Sequence, residues 1–172
     1  AGFDDAIVEI ELKGDDLYFM TRKGAPRNKL MKLDLRHPKL SLARDVALPP
    51  AGGVIDTFLV TRDAVIASVM DGTSIGLRRY TAGDVKGHAI PLPFIGAARP
   101  FDDPAHAYSD VLYTATSWTQ PSRIMRLDGE VSKDVDWRPP VKLPAGLPQI
   151  VVTDVKVRSH DGAMVPMTVL HR

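Results

Sequence analysis

Leu17, Ala64 and Val111 each open a short apolar run, and they stand 47 positions apart. The same offset returns further on. Leu30, Leu77 and Ile124 begin the next run, Lys32, Arg79 and Arg126 follow two residues later, and Leu33, Tyr80 and Leu127 come directly after. A repeat of this size, with about four strands in each unit, leaves few folds open, because such a unit cannot bury its own sheet face and must stack against copies of itself around an axis. The expected fold class is all-β: a partial β-propeller of about three four-stranded blades, too few to close a ring, with a C-terminal β-hairpin.

Short alternating or apolar runs support the strand reading, and no stretch keeps apolar residues at i, i+3, i+4 and i+7 as a helix would. Strands are expected at 6–12, 17–22, 29–35, 54–60, 64–70, 74–80, 88–92, 111–117, 122–127 and 130–135. Between them stand Gly14-Asp15, Asp71-Gly72, Gly83-Asp84 and Asp128-Gly129, residues that tolerate the left-handed backbone of tight hairpins. Asp161-Gly162, between Val155-Lys156-Val157 and Val165-Pro166-Met167, reads as the turn of the C-terminal hairpin. A β-sandwich would also place turns every ~8–12 residues, but nothing in a sandwich asks for apolar, basic, apolar in one order across three units.

Composition narrows the function classes. Twenty-two basic against 21 acidic residues leave neither sign in a long block, so nucleic acid and anionic membrane are not expected partners. The absence of cysteine removes disulfides, thiolate nucleophiles and Cys-based zinc sites, and it leaves the compartment open between cytoplasm and periplasm. No apolar stretch approaches the ~20 residues that span a bilayer. Ala1-Gly2-Phe3-Asp4-Asp5 lacks the basic run and apolar core of a signal peptide.

Gly72-Thr73-Ser74-Ile75-Gly76 matches the G-x-S-x-G nucleophile elbow, and an apolar strand precedes it. An elbow needs a helix behind the serine, whereas Thr81-Ala82-Gly83-Asp84 halts the segment after four residues of Leu77-Arg78-Arg79-Tyr80. The repeat register places the pentapeptide in the hairpin between the second and third strands of a blade, so a small esterase using Ser74 is the weaker reading. Ser159-His160-Asp161 resembles a triad written in a row, but consecutive side chains of an extended strand point to opposite faces. Asp102-Asp103 with His106 is the one local cluster that could hold a cation, and beside Pro104 it reads as a solvated loop. His37, His88 and His171 have no ligand partner at metal spacing, so neither a metal nor a cofactor is expected. Trp118 and Trp137 read as blade packing or as surface anchors, packing being the usual place of a lone tryptophan. Arg78-Arg79 puts one cation on each face of a strand.

Four segments, in order, resemble the prolyl oligopeptidase family of serine peptidases. They are Asp16-Leu17-Tyr18-Phe19-Met20-Thr21-Arg22-Lys23-Gly24-Ala25-Pro26-Arg27-Asn28-Lys29-Leu30, then Ile90-Pro91-Leu92-Pro93 with Gly96, then Thr116-Ser117-Trp118-Thr119-Gln120-Pro121-Ser122-Arg123-Ile124, and last Ser159-His160-Asp161-Gly162-Ala163-Met164-Val165-Pro166-Met167. The resemblance implies a seven-bladed propeller capping an α/β-hydrolase domain that cleaves short peptides after proline, with the propeller as filter and lid. It supplies no catalytic residue here, since the family's serine, acid and histidine have no counterparts in this sequence.

On that resemblance, residues 1–142 are expected to be propeller blades, 143–149 an interdomain linker rich in Pro and Gly, and 150–172 the first hairpin of the catalytic domain. The hairpin is then expected to be mobile or seated on a neighbouring molecule. The innermost strands would be 6–12, 54–60 and 95–101. Glu9, Asp56 and Arg99, charged within otherwise apolar inner strands, are the candidates for lining the channel. Expected partners are the catalytic domain, the earlier blades and, in the whole protein, a short peptide substrate. Uncovered sheet faces and open edges lead to self-association of a three-blade piece. The rival from another class is a free-standing binding propeller with no peptidase attached.

Overall fold

The computed structural model describes residues 2–101, 111–135, 146 and 149–172, and among these it contains strands and two short 3-10 turns but no α-helix. The first blade is an antiparallel sheet of β1 (Ile7–Lys13), β2 (Asp16–Thr21), β3 (Lys29–Asp34) and β4 (Arg44–Ala47), in that order. The second holds β5 (Val54–Val60), β6 (Ala64–Asp71), β7 (Ser74–Thr81) and β8 (His88–Ile90). The third holds β9 (Ala97–Pro100), β10 (Val111–Thr116), β11 (Arg123–Asp128) and β12 (Val131–Asp134). Blades two and three touch where Ile75 runs parallel to Ala97 and the Ile75 N–H donates to the Gly96 carbonyl at 2.8 Å. The partial propeller is as the repeat predicts, and the terminal hairpin as the turn at Asp161-Gly162 predicts.

Two apolar layers hold the blades together. Leu30, Ile55, Phe58, Val65 and Tyr80 form the layer between blades one and two. Ile66, Leu77, Tyr113, Met125 and Leu127 form the layer between blades two and three. Strand β6 is buried at Ala64, Val65, Ile66, Ala67, Ser68 and Val69 because alternate side chains enter opposite layers. That two-sided burial explains why its sequence is a continuous apolar run and not an alternating one.

The polar half of the repeat has a structural meaning as well. Lys32 pairs with Asp16 at 2.5 Å, and Arg79 pairs with Asp63 at 2.7 Å. Asp16 and Asp63 are themselves 47 positions apart, so blades one and two carry the same ion pair. Partly exposed pairs of this kind contribute about 0–1 kcal/mol each.

Several boundaries differ from expectation for identifiable reasons. The expectation omits β4, because Arg44-Asp45-Val46-Ala47 has no apolar alternation, and it forms on the free edge of β3. Strand β8 stops at Ile90 because Pro91 has no N–H to continue the ladder. Strand β9 begins at Ala97, leaving Ile95 outside as an exposed loop residue. Of the two readings of Trp118, the surface one holds and packing does not: it is 66% exposed at the apex of the β10–β11 loop. Trp137, the Asp102-Asp103-His106 cluster and most of 143–149 lie outside the described residues.

The C-terminal strands β13 (Val151–Arg158) and β14 (Met164–His171) pair as a regular hairpin. Both of its strands are exposed over nearly their whole length, and a side-chain hydrogen bond joins it to the blades at one turn. Thr73, in the β6–β7 turn, donates to Asp154 Oδ1 at 2.9 Å, and Thr168 donates to the same oxygen at 2.7 Å. The face carrying Asp154, Lys156 and Pro166 meets this turn, where a Cβ on Gly72 would lie 3.5 Å from Pro166. The opposite face carries Val155, Val157, Val165, Met167 and Val169.

Replacing Leu77 with Ala is expected to lower stability by about 2–5 kcal/mol, since it empties part of the layer between blades two and three. Lys39→Ala, on the surface, is expected to change it by no more than ~0.5 kcal/mol. Urea unfolding of the two variants checks both values.

Candidate functional site

The inner strands β1, β5 and β9 concentrate the chain's unusual polar contacts. Along β1 the sequence alternates Val8, Glu9, Ile10, Glu11, Leu12, Lys13, and the pleat sends the three charged side chains toward β5. Thr57 donates to Glu9 Oε1 at 2.7 Å. The Val60 N–H donates to Glu11 Oε2 at 2.9 Å. Lys13 Nζ donates to the Thr61 carbonyl. Charged groups of blade one thus satisfy backbone groups on the free edge of the next blade, which would otherwise be left unpaired.

The three residues expected near the channel fall on these strands. Asp56 and Arg99, from neighbouring blades, form an ion pair with Nε to Oδ2 at 2.8 Å, and Ser68 approaches the same carboxylate oxygen at 3.5 Å. Glu9 is joined instead to Thr57, the residue after Asp56. The structure therefore brings Asp56 and Arg99 together and links Glu9 to them through one strand. Glu11, Lys13 and Thr57 were not among the sequence candidates. The signal for the first two was present, since 9, 11 and 13 share one face of β1.

None of these groups forms a nucleophile–base pair. Ser74 closes the two-residue β6–β7 turn opposite Asp71, and its hydroxyl donates back to the Asp71 carbonyl at 3.2 Å. Gly72 there has φ +63°, the left-handed backbone that this turn requires. Residues 159–163 form a turn and not an extended strand, which revises the geometry expected of Ser159-His160-Asp161. Ser159 Oγ lies 3.3 Å from His160 Nδ1. The Ala163 N–H, then the Ser159 hydroxyl, hold the Asp161 carboxyl below its ordinary value. The serine stands between acid and imidazole, whereas a relay needs the imidazole in the middle, and at this hairpin tip His160 and Asp161 are exposed and Ser159 only partly buried. Among the described residues, no three His, Cys, Asp or Glu side chains converge as a cation site.

Comparison with known proteins agrees with this architecture. A family model described as the prolyl oligopeptidase N-terminal beta-propeller domain matches residues 2–137. The prolyl endopeptidase of Elizabethkingia meningoseptica is 26% identical over 174 aligned residues, covering 99% of this chain and 24% of that protein. Among solved structures, one from a study of two prolyl endopeptidases and their inter-domain dynamics superposes with a TM-score of 0.81 at 24% identity, over 95% of this chain and 24% of that one. Prolyl oligopeptidase B from Galerina marginata, bound to a hydrolysis and macrocyclization substrate, gives 0.75 at 19% identity, over 95% and 23%. The chain spans about a quarter of the length of these relatives.

Glu11→Ala is expected to destabilise the chain by about 1–3 kcal/mol, because it leaves the Val60 N–H without that acceptor. Arg99→Ala removes a half-exposed ion pair and is expected to cost at most about 1 kcal/mol. Urea midpoints separate the two. At the hairpin, the hydroxyls of Thr168 and then Thr73 hold the Asp154 carboxyl below its ordinary 3.8. Its stabilising contribution is present above 3.8 and is lost as pH falls through the lowered folded value. Carboxyl NMR titration should show this depression, and Thr73→Val should partly relieve it.

Proposed function

We propose a function from one premise: this chain belongs to the prolyl oligopeptidase family, by a match to that family's propeller domain over residues 2–137. On our reading the blades are the substrate-filtering lid of a serine peptidase that cleaves short peptides after proline. Residues 1–142 supply the blades, 143–149 the connection and 150–172 the first strands of the catalytic domain, whose nucleophile, base and acid come from elsewhere in the whole protein. The observation that carries this reading is the propeller match followed by a hairpin exposed on both faces, one of them apolar at Val157, Val165, Met167 and Val169. Such a face fits a sheet that continues in another part of the polypeptide.

In this function the blades act by exclusion. Stacked sheets joined by apolar layers leave only the axis open, so a flexible peptide enters and a folded protein does not. Restricting water around the reaction strengthens electrostatic catalysis there. Glu9, Asp56 and Arg99 line the route, Asp56 and Arg99 neutralising one another. Val8, Ile10 and Leu12, exposed on the side of β1 away from β5, are the seat of the preceding blade.

The test uses the full-length polypeptide. A serine-directed fluorophosphonate should label it, and it should cleave a short proline-containing peptide while sparing a folded protein with the same site. Absence of both labelling and cleavage would refute the reading in favour of a binding propeller. The 172-residue chain by itself should elute above its 18.8 kDa monomer mass in size-exclusion chromatography, through its uncovered faces.

A further inference from the structure

Pairing fixes which loops share an end of the blade stack. Strand β9 starts beside the start of β7, and the end of β10 pairs with the start of β9 through Thr116 and Ala97. The β6–β7 turn, the loop before β9 and the β10–β11 loop therefore crowd one end, the same end at which Thr73 hydrogen-bonds Asp154 of the C-terminal hairpin. At this end Ile95 is 80% exposed and Trp118 is 66% exposed.

Both residues are held outward by ordered loops. Ser117 Oγ accepts the N–H groups of Thr119 and Gln120 at 3.2 and 3.0 Å, and the Ser117 N–H donates to the Gln120 carbonyl at 3.2 Å, so Trp118 stands at the apex of a closed turn. Gly96 lets the neighbouring loop lie against it, for a Cβ there would come within 2.1 Å of the Thr116 carbonyl oxygen. Arg123 sits 5.9 Å from the Phe94 ring and ties the two loops together. A large aromatic kept in water on a preorganised loop has already met the ordering cost of binding and gains by being covered.

We infer that Ile95 and Trp118 are the anchor by which blade three grips the domain that follows the hairpin. This rests on the peptidase reading above. The relatives are about four times as long as this chain, and the hairpin meets the blades at this end through Thr73 and Asp154. A domain built on that hairpin would overhang the same loops. The pair contributes affinity and orientation between domains and takes no part in the chemistry.

Hydroxyl-radical footprinting of the full-length protein, read by peptide mass spectrometry at two concentrations, tests the anchor. Leu42, exposed at the opposite end of the stack, serves as the internal reference. Ile95 and Trp118 are expected to lose most of their reactivity relative to Leu42 at both concentrations, and Trp118→Ala is expected to restore reactivity at Ile95. Full reactivity at both residues overturns the inference, as does protection that fades on dilution, which would make a second copy the occupant. Fluorophosphonate labelling of the same sample separates the two ideas. Labelled protein with a reactive Trp118 sinks the anchor alone, whereas protected but unlabelled protein keeps the contact and removes the peptidase.

Discussion

The burial of sheet faces against one another is the constraint on which the rest of this molecule depends. No blade here has a core of its own. Blade two is stable as a sheet because Val65, Val69 and Tyr80 face one neighbour while Ile66 and Leu77 face the other. Contacts of this kind scale with apolar area removed from water, and they ask only that facing surfaces match in volume. The 47-residue spacing is the sequence record of that requirement, because each unit must present the same face at the same height.

Stacking faces in this way leaves strand edges open at the axis, and the chain handles them with charge. Glu9, Glu11 and Lys13 reach from β1 across to β5, two of them to backbone groups. Apolar residues hold sheet to sheet, and polar residues finish the edges where no further strand follows. The same division appears at the outer ends, where Asp16 with Lys32 and Asp63 with Arg79 mark equivalent positions in successive blades.

Much of this fold was legible because a repeat is a long-range signal written in local residues. Leu30 and Leu77 occupy the same buried position in their blades, as the offset required. What escaped was structure imposed by neighbours. Strand β4 exists because β3 offered an edge, and its own four residues give no sign of it. The sequence left Trp118 between packing and surface because an apolar side chain carries no mark of whether its loop turns it in or out; the hydrogen bonds of Ser117 decide that. The Asp56–Arg99 pair joins residues 43 positions apart, a contact that two isolated charges could not announce. In contrast, the alternation of charge through β1 was plain in the sequence, and only its direction, toward the next blade, needed the structure.

The finishing of the β5 edge has a consequence for any extended segment that comes alongside it. An uncapped strand edge is a template: a passing peptide can add to it through main-chain hydrogen bonds and stay there as one more strand. With the Val60 N–H held by Glu11 and the Thr61 carbonyl held by Lys13, those two positions offer such a segment no rung to bind. Side chains of the adjacent blade thus keep this stretch of the β5 edge from recruiting a further strand.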